Sequence, residues 1–307
     1  MAAGAGNYVP AFRSAAAPVN LPFMFATFNQ ARAALSHLNP AEVREHAGRR
    51  VRVGLIAATE HRYAVMEEVL VPPEASDEDR MRGMSAIFRG GDPMAPGQVD
   101  VVLYDEGIAA PKGAHVLYTQ DSAATVDAIL RADPSLELPL ARQFPGFRTH
   151  VVDRIVQSVS RENALFAFAT AIPDVIPSLV EIPWSFGEWA TDTAFLTANQ
   201  IRMAFMIAAA CGREVGFARQ KVEILSIVGG AFGWRAIARE LAGKIPLGGG
   251  LIAKGAIAYA GTFVMGKGLE LLHRGQMKFA REAKQTMYGE ALQRGRQFAR
   301  SLAQPRS

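Results

Sequence analysis

The sequence predicts an α+β, mostly helical protein: a small α/β unit, three-stranded or slightly larger, followed by an all-α region. Three observations predict it. The apolar runs VRVGLIAA (51–58), VDVVLYD (99–105) and HVLYT (115–119) alternate with the helical patterns EHRYAVMEEVL, DEDRMRGMSAIFR and SAATVDAILR, as in βα units around a largely parallel sheet. After Pro145 the apolar period lengthens to that of helices and stays there. Half of the 307 residues are hydrophobic and a fifth are charged, which suits two parts with a sizeable core and excludes a chain disordered throughout.

The elements follow in order. Residues 1–48 form an N-terminal helical or irregular segment, in which Asn39, Pro40 and Glu42 mark a helix start that runs to about Gly48. Residues 49–144 hold the α/β unit. Residues 145–274 form the helical domain, with long patterns in FRTHVVDRIVQSVSRENALFAFA, EWATDTAFLTANQIRMAFMIAAA and GFARQKVEILSIVGGAFGWRAIARELAG, and Gly212, Gly243 and Gly275 stand where helices stop. Residues 275–307 form a basic amphipathic helix.

Charge is concentrated at that end. From His273 onward eight Lys and Arg residues, Arg294 and Arg296 among them, stand against only Glu282 and Glu290, so the tail carries +6 and the rest of the chain −2, for a net charge of +4. Met287, Ala291, Phe298 and Leu302 recur at helical spacing beside these cations, a pattern suited to an anionic membrane surface or to a solvated terminal helix. Nucleic acid is a poorer partner, because the tail has little aromatic interleaving and no reader module accompanies it.

Lys244–Lys267 reads KIPLGGGLIAKGAIAYAGTFVMGK, rich in Gly and Ala and free of acids. Ala256 and Ala260, beside Gly255 and Gly261, make a nearly smooth face that serves close helix packing, within a soluble bundle, between chains or against lipid. Gly255 to Gly266 is only 12 residues, about 18 Å of helix against a hydrocarbon core of about 30 Å. Extension back to Pro246 places Lys254 inside, which disfavours a span. The second apolar stretch, 164–187, contains Asp174, Glu181 and three prolines and suits a broken connection. The opening residues carry no basic region before an apolar run and are interrupted by Pro10, Pro18 and Pro22, so no secretory signal is read. The lone Cys211 forms no internal disulfide and fits a reducing compartment. A cytoplasmic location is expected, peripheral to the inner face of a membrane if the tail binds one.

Catalytic constellations are not readable. Gly54 follows the first strand where a phosphate loop would begin, but Thr59-Glu60-His61 stands in place of Gly-Lys-Ser/Thr, so an acid replaces the cation that would meet phosphates. Gly54 then reads as a packing glycine and Asp105, at the end of the second run, as a cap. Gly261 to Gly268 nearly spells a second phosphate loop, without its hydroxyl residue, and Gly248, Gly250 and Ala253 match a dinucleotide spacing with no strand before them. The six histidines are scattered, no serine sits in a nucleophile elbow, and Cys211 has no basic neighbour before Arg213. Asp192, Asn199, Gln200 and Arg202 are polar positions on an otherwise apolar helix and are expected to bond to one another or to a facing helix.

The blocks ATAIPDVIP (169–177), LTANQIRMAFMIAAACG (196–212) and ARELAGKIPLGGGLIAKGAIAYAGTFVMGKG (238–268) resemble the helical domain of unknown function that follows Era-like GTPase domains in YcjF-related bacterial proteins. The resemblance covers about residues 145–290 and implies a degenerate GTPase-like unit before it. The expected function is a non-catalytic interaction or scaffold protein without a cofactor, acting through self-association, another protein or an anionic membrane surface. Two alternatives stand beside it: an atypical nucleotide-binding switch and an integral membrane helical module. The candidate contact residues are Asn199, Gln200, Arg202, Lys254, Gly255, Ala256, Ala260, Gly261, Arg294 and Arg296.

Overall fold

A computed structural model of the chain describes residues 38–171, 192–227, 250–274 and 281–304. The first helix, α1 (Pro40–Gly48), starts as its sequence dictates: Asn39 Oδ1 accepts from the Ala41 amide at 3.1 Å and the Asn39 side-chain amide donates to Glu42 at 3.0 Å. Strand β1 (Val53–Ile56) leads into α2 (Glu60–Leu70), whose cap is Thr59. Ser76 caps α3 (Asp77–Met84), which is followed by β2 (Ile87–Arg89), β3 (Val101–Asp105) and β4 (His115–Leu117). Asp121 caps α4 (Ser122–Ala132), and a 3-10 turn (Pro134–Leu136) passes directly into α5 (Glu137–Gln143). The helical region comprises α6 (Pro145–Ala169), α7 (Asp192–Ala210), a short helical stretch at 221–227, α8 (Gly250–His273) and α9 (Arg281–Ala303).

All strand pairs are parallel and the order is β2-β1-β3-β4. Val53 lies opposite both Ile87 and Val101, and Leu103 lies opposite His115. β1 is therefore an inner strand: the chain leaves it to one side for β2 and then crosses to its other side for β3, so the topological switch point falls between β1 and β3. The fourth strand, β2, is a finding the sequence pattern did not give. Helical periodicity carried DEDRMRGMSAIFR through Arg89, but α3 stops at Met84 and the Ala86 carbonyl already accepts from Val53 N at 2.8 Å. Pairing with β1 outweighs local helical preference here.

The edge at β4 is closed by a side chain. Thr125, fully buried on α4, donates from Oγ1 to Val116 O at 2.9 Å and accepts from Tyr118 N at 3.1 Å. One hydroxyl thus satisfies two outward backbone groups that would otherwise template another strand.

α6 is the spine of the molecule. Its first turn carries Phe147, fully buried, and Gly146, where a Cβ would collide with the Val69 carbonyl at the end of α2. Further along, Val151, Val152, Ile155, Val156 and Val159 are buried in a core that runs without a break from Val53 and Leu103 of the sheet to Ala208 of α7 and Ala291 of α9. Gly212, at φ +74°, ends α7: its amide donates to Ala209 O at 3.0 Å and that of Arg213 to Ala208 O at 2.9 Å. Gly243 and Gly275, the other expected stops, lie outside the described residues, as does most of the apolar stretch 164–187 beyond Ala171.

Thr125→Val preserves shape and removes both edge bonds. It is expected to lower stability by about 1–3 kcal/mol, read as a lower urea midpoint at unchanged slope.

Candidate functional site

The place where an open α/β sheet would hold a ligand is the crevice beyond the strand ends at the switch point. Here α2 delivers Arg62 to that crevice and β3 delivers Asp105, 2% exposed. Arg62 Nε donates to Asp105 Oδ1 at 2.9 Å, and its Nη2 reaches the same oxygen and, at 3.4 Å, Glu106. The Thr119 hydroxyl donates to Glu106 at 2.5 Å, and that bond holds the Glu106 carboxyl below its usual range. Glu60, the acid in the lysine position, turns toward the sheet edge and pairs with Arg89 of β2 at 2.5 Å; Arg89 also forms a two-pronged pair with Glu67 at 2.6 and 2.8 Å. In the crevice itself Arg62 thus faces two carboxylates, Asp105 and Glu106, so its polar lining is paired within the chain and leaves no excess of positive charge.

Gly54 is a packing glycine, since a Cβ there would press on Val99 at 3.3 Å. Asp105 is more than the cap its position suggested: its main chain receives Ile108 N at 3.2 Å, while its carboxylate holds Arg62. Arg62 went unnoticed in the sequence, although a base one turn into a helix facing an acid at a neighbouring strand end is the pattern that would have flagged it.

The polar positions of α7 come together as expected. Asn199 donates to Asn163 Oδ1 at 2.9 Å and Glu162 at 3.1 Å; Arg202 donates to Asn199 at 2.9 Å and pairs with Glu162 at 2.5 Å. Asn163 in turn donates to Thr262 of α8 at 2.8 Å, and Gln200 reaches the same hydroxyl at 3.2 Å. Three helices are thereby pinned in one register by a bonded network inside an apolar bundle. Its members Glu162, Asn163 and Thr262 were not foreseen. The side chain of Asp192 lies outside those described.

The small-residue face is consumed inside the chain. Ala256 and Ala260 are fully buried, Gly261 is buried, and a Cβ on Gly255 would stand 3.3 Å from Ala164 O and Ala299 Cβ. Gly295 of α9 rides directly on α8, where a Cβ would lie 2.8 Å from both Ala256 O and Tyr259 Cβ. Lys254 is exposed, and so are Arg294 and Arg296. Arg294 lies 4.9 Å above the Phe263 ring and 3.4 Å from Glu290. The two decoy motifs resolve alike: residues 261–268 lie within α8, and Gly248 is outside the described residues. Among the described residues no helix is long and apolar enough to cross a membrane, and no group of three His, Cys, Asp or Glu is placed to hold a metal ion.

The seam between α3, α5 and α6 is tied by Asp79. Burial opposes its charge, but bidentate bonds from Arg148 at 3.0 and 3.1 Å and one from Arg82 at 2.7 Å outweigh it and hold its pKa below the usual carboxylate range. Lys267 of α8 is a second such tie: burial opposes its charge, yet Asp153 and Glu270, each at 2.5 Å, push its pKa up.

No protein-family description matches this chain, and neither a curated protein nor a solved structure shows significant similarity to it. The site is therefore read from its own chemistry.

Because the folded pKa of Asp79 lies below the unfolded value near 3.9, its contribution is complete above that value and is lost as pH falls through the folded pKa. Asp79→Asn is expected to cost about 1–3 kcal/mol at neutral pH and progressively less in acid, measured by urea unfolding at pH 7 and pH 3. Gly295→Ala is expected to cost about 1–3 kcal/mol by forcing α9 off α8, measured as a fall in Tm.

Proposed function

We propose that this chain is a non-catalytic interaction protein: a degenerate GTPase-like α/β unit that has given up nucleotide binding, carried on a helical region that meets an acidic partner surface. The observation that carries this reading is the crevice at the switch point, closed from within by Arg62, Asp105, Glu106 and Thr119. The resemblance of residues 145–290 to the domain that follows Era-like GTPases supports the setting, and the parallel order around β1 agrees with it.

The helical region offers charge more than apolar surface. Ala291, Gly295 and Ala299 of α9 are buried on α8, while Lys284, Arg296 and Arg300 are exposed. The amphipathic pattern of the tail is thus spent on its own neighbour, and attachment to an anionic membrane rests on electrostatics screened by salt. Self-association through Gly255, Ala256, Ala260 and Gly261 would compete with the packing they already make; association between copies uses other surfaces.

Equilibrium binding of labelled GTP and ATP with Mg²⁺ tests the first half of this reading: no saturable binding is expected, and micromolar binding abolished by Asp105→Ala would contradict it. For the second half, the protein is expected to sediment with phosphatidylserine vesicles at low salt and to be released at about 0.5 M salt, where the Debye length falls to about 4 Å. Binding indifferent to salt, or equal on neutral vesicles, would contradict it.

A further inference from the structure

We propose that His273 is a proton-operated release for the segment 213–227, which lies against the end of α8 while the imidazole is neutral and lets go when the imidazole takes up a proton. This junction shares no residue with the switch point or with α9, so neither half of the proposed function bears on it.

His273 closes α8, and its side chain is 7% exposed. Its Nε2 is buried without a hydrogen-bond partner, and the acid that approaches it, Glu223 Oε1, stands 3.8 Å away, beyond bonding reach. Glu223 belongs to the helical stretch 221–227, has a side chain only 9% exposed, and makes no hydrogen bond among the described residues. A buried imidazole and a buried acid thus stand side by side without a bond between them. Placing a proton on Nε2 here puts a charge where neither water nor a bonded acceptor meets it.

The surrounding charges do little to relieve that cost. Arg213, at the start of the same segment, repels an imidazolium, and Glu223 attracts one. On α8 itself Glu270 is taken by Lys267 at 2.5 Å and by Arg274 at 2.7 Å, and Arg274 also reaches Thr149 of α6. At the end of α7, burial pushes the Cys211 thiol up, so it stays neutral. Burial outweighs Glu223 and holds the His273 pKa below its usual value.

Among the described residues the segment has a small inner face. Val215, Gln220 and Ile227 are buried, Phe217 meets Phe205 edge-on at 5.3 Å, and Arg44 of α1 donates to Val215 O at 2.9 Å. Val222 and Leu225 point outward, 67% and 53% exposed, and add no hold. A unit with so little buried surface opens locally without unfolding the rest. Once open, the imidazole meets water and regains a pKa of about 6.5. Because the closed pKa lies below the open one, the closed form is fully favoured above about pH 6.5 and loses ground as pH falls through the interval between them.

Hydrogen exchange of the full chain at about pH 7.5 and about pH 5.5, corrected for intrinsic rates and read by mass spectrometry, tests this. The amides of Gln220 and Ile224, bonded to Gly216 O and Gln220 O, are expected to exchange at least about threefold faster at the lower pH, with α6 unchanged. His273→Gln, which does not titrate, is expected to abolish the difference. Glu223→Gln removes the charge that favours the imidazolium and is expected to enlarge it. Unchanged protection of the segment in the unaltered chain, acceleration shared equally by α6, or a difference that survives in a folded His273→Gln protein would overturn the proposal. Should circular dichroism show that His273→Gln does not fold, Glu223→Gln decides: a larger difference supports the release, and an equal or smaller one overturns it.

Discussion

Everything in this molecule is built around the burial of one helix. α6 starts against the end of α2, where only glycine at position 146 permits the approach, and continues along α7 and α8, burying Val151, Val152, Ile155, Val156 and Val159 on the way. A helix of 25 residues is about 38 Å long at 1.5 Å per residue, long enough to serve both halves. The α/β unit and the helical region therefore share side chains as well as a boundary. Asp79 bonded to Arg148 near the start of α6, and Lys267 bonded to Asp153 at its middle, fix that spine from two sides.

Two polar devices sit on this frame and do opposite things to surface and core. At the switch point, Arg62 and Asp105 occupy the crevice in which comparable sheets place a ligand, so that an internal ion pair stands where an external anion would. In the helical core, Asn163, Asn199, Arg202 and Thr262 exchange bonds across three helices. A buried network with all its members bonded costs little in stability and selects one register over its neighbours, which matters for helices whose packing faces are as featureless as Gly255 to Gly261. The proposed function depends on the first device and the integrity of the binding surfaces on the second.

The sequence carried the fold further than the site. The runs 51–58, 99–105 and 115–119 contain β1, β3 and β4, because each is a short apolar run rich in β-branched residues, although burial along β1 and β3 alternates. β2 escaped because three residues directly after a helix continue its period, and only the partner strand distinguishes the two conformations. Asn199, Gln200 and Arg202 stood out as polar residues among apolar ones, but their partners Asn163 and Thr262 lie 36 and 99 residues from their bonded neighbours, and no local pattern records such distances. The acid at Glu60 was legible as a lost cation; that it pairs with Arg89 was not, since Arg89 was read as helical. The tail's sequence pattern is amphipathic, yet amphipathicity does not say whether the apolar face meets lipid or a neighbouring helix. Here Gly295 against Ala256 decides for the helix.

The claim that a single shared helix makes the two halves one cooperative body is tested most directly by native-state hydrogen exchange across a denaturant series, followed by mass spectrometry. Amides of β1, of the central turns of α6 and of α7 are expected to converge on one opening free energy with one denaturant slope. Convergence of β1 and α7 on two separate openings, with α6 following only one of them, would contradict it.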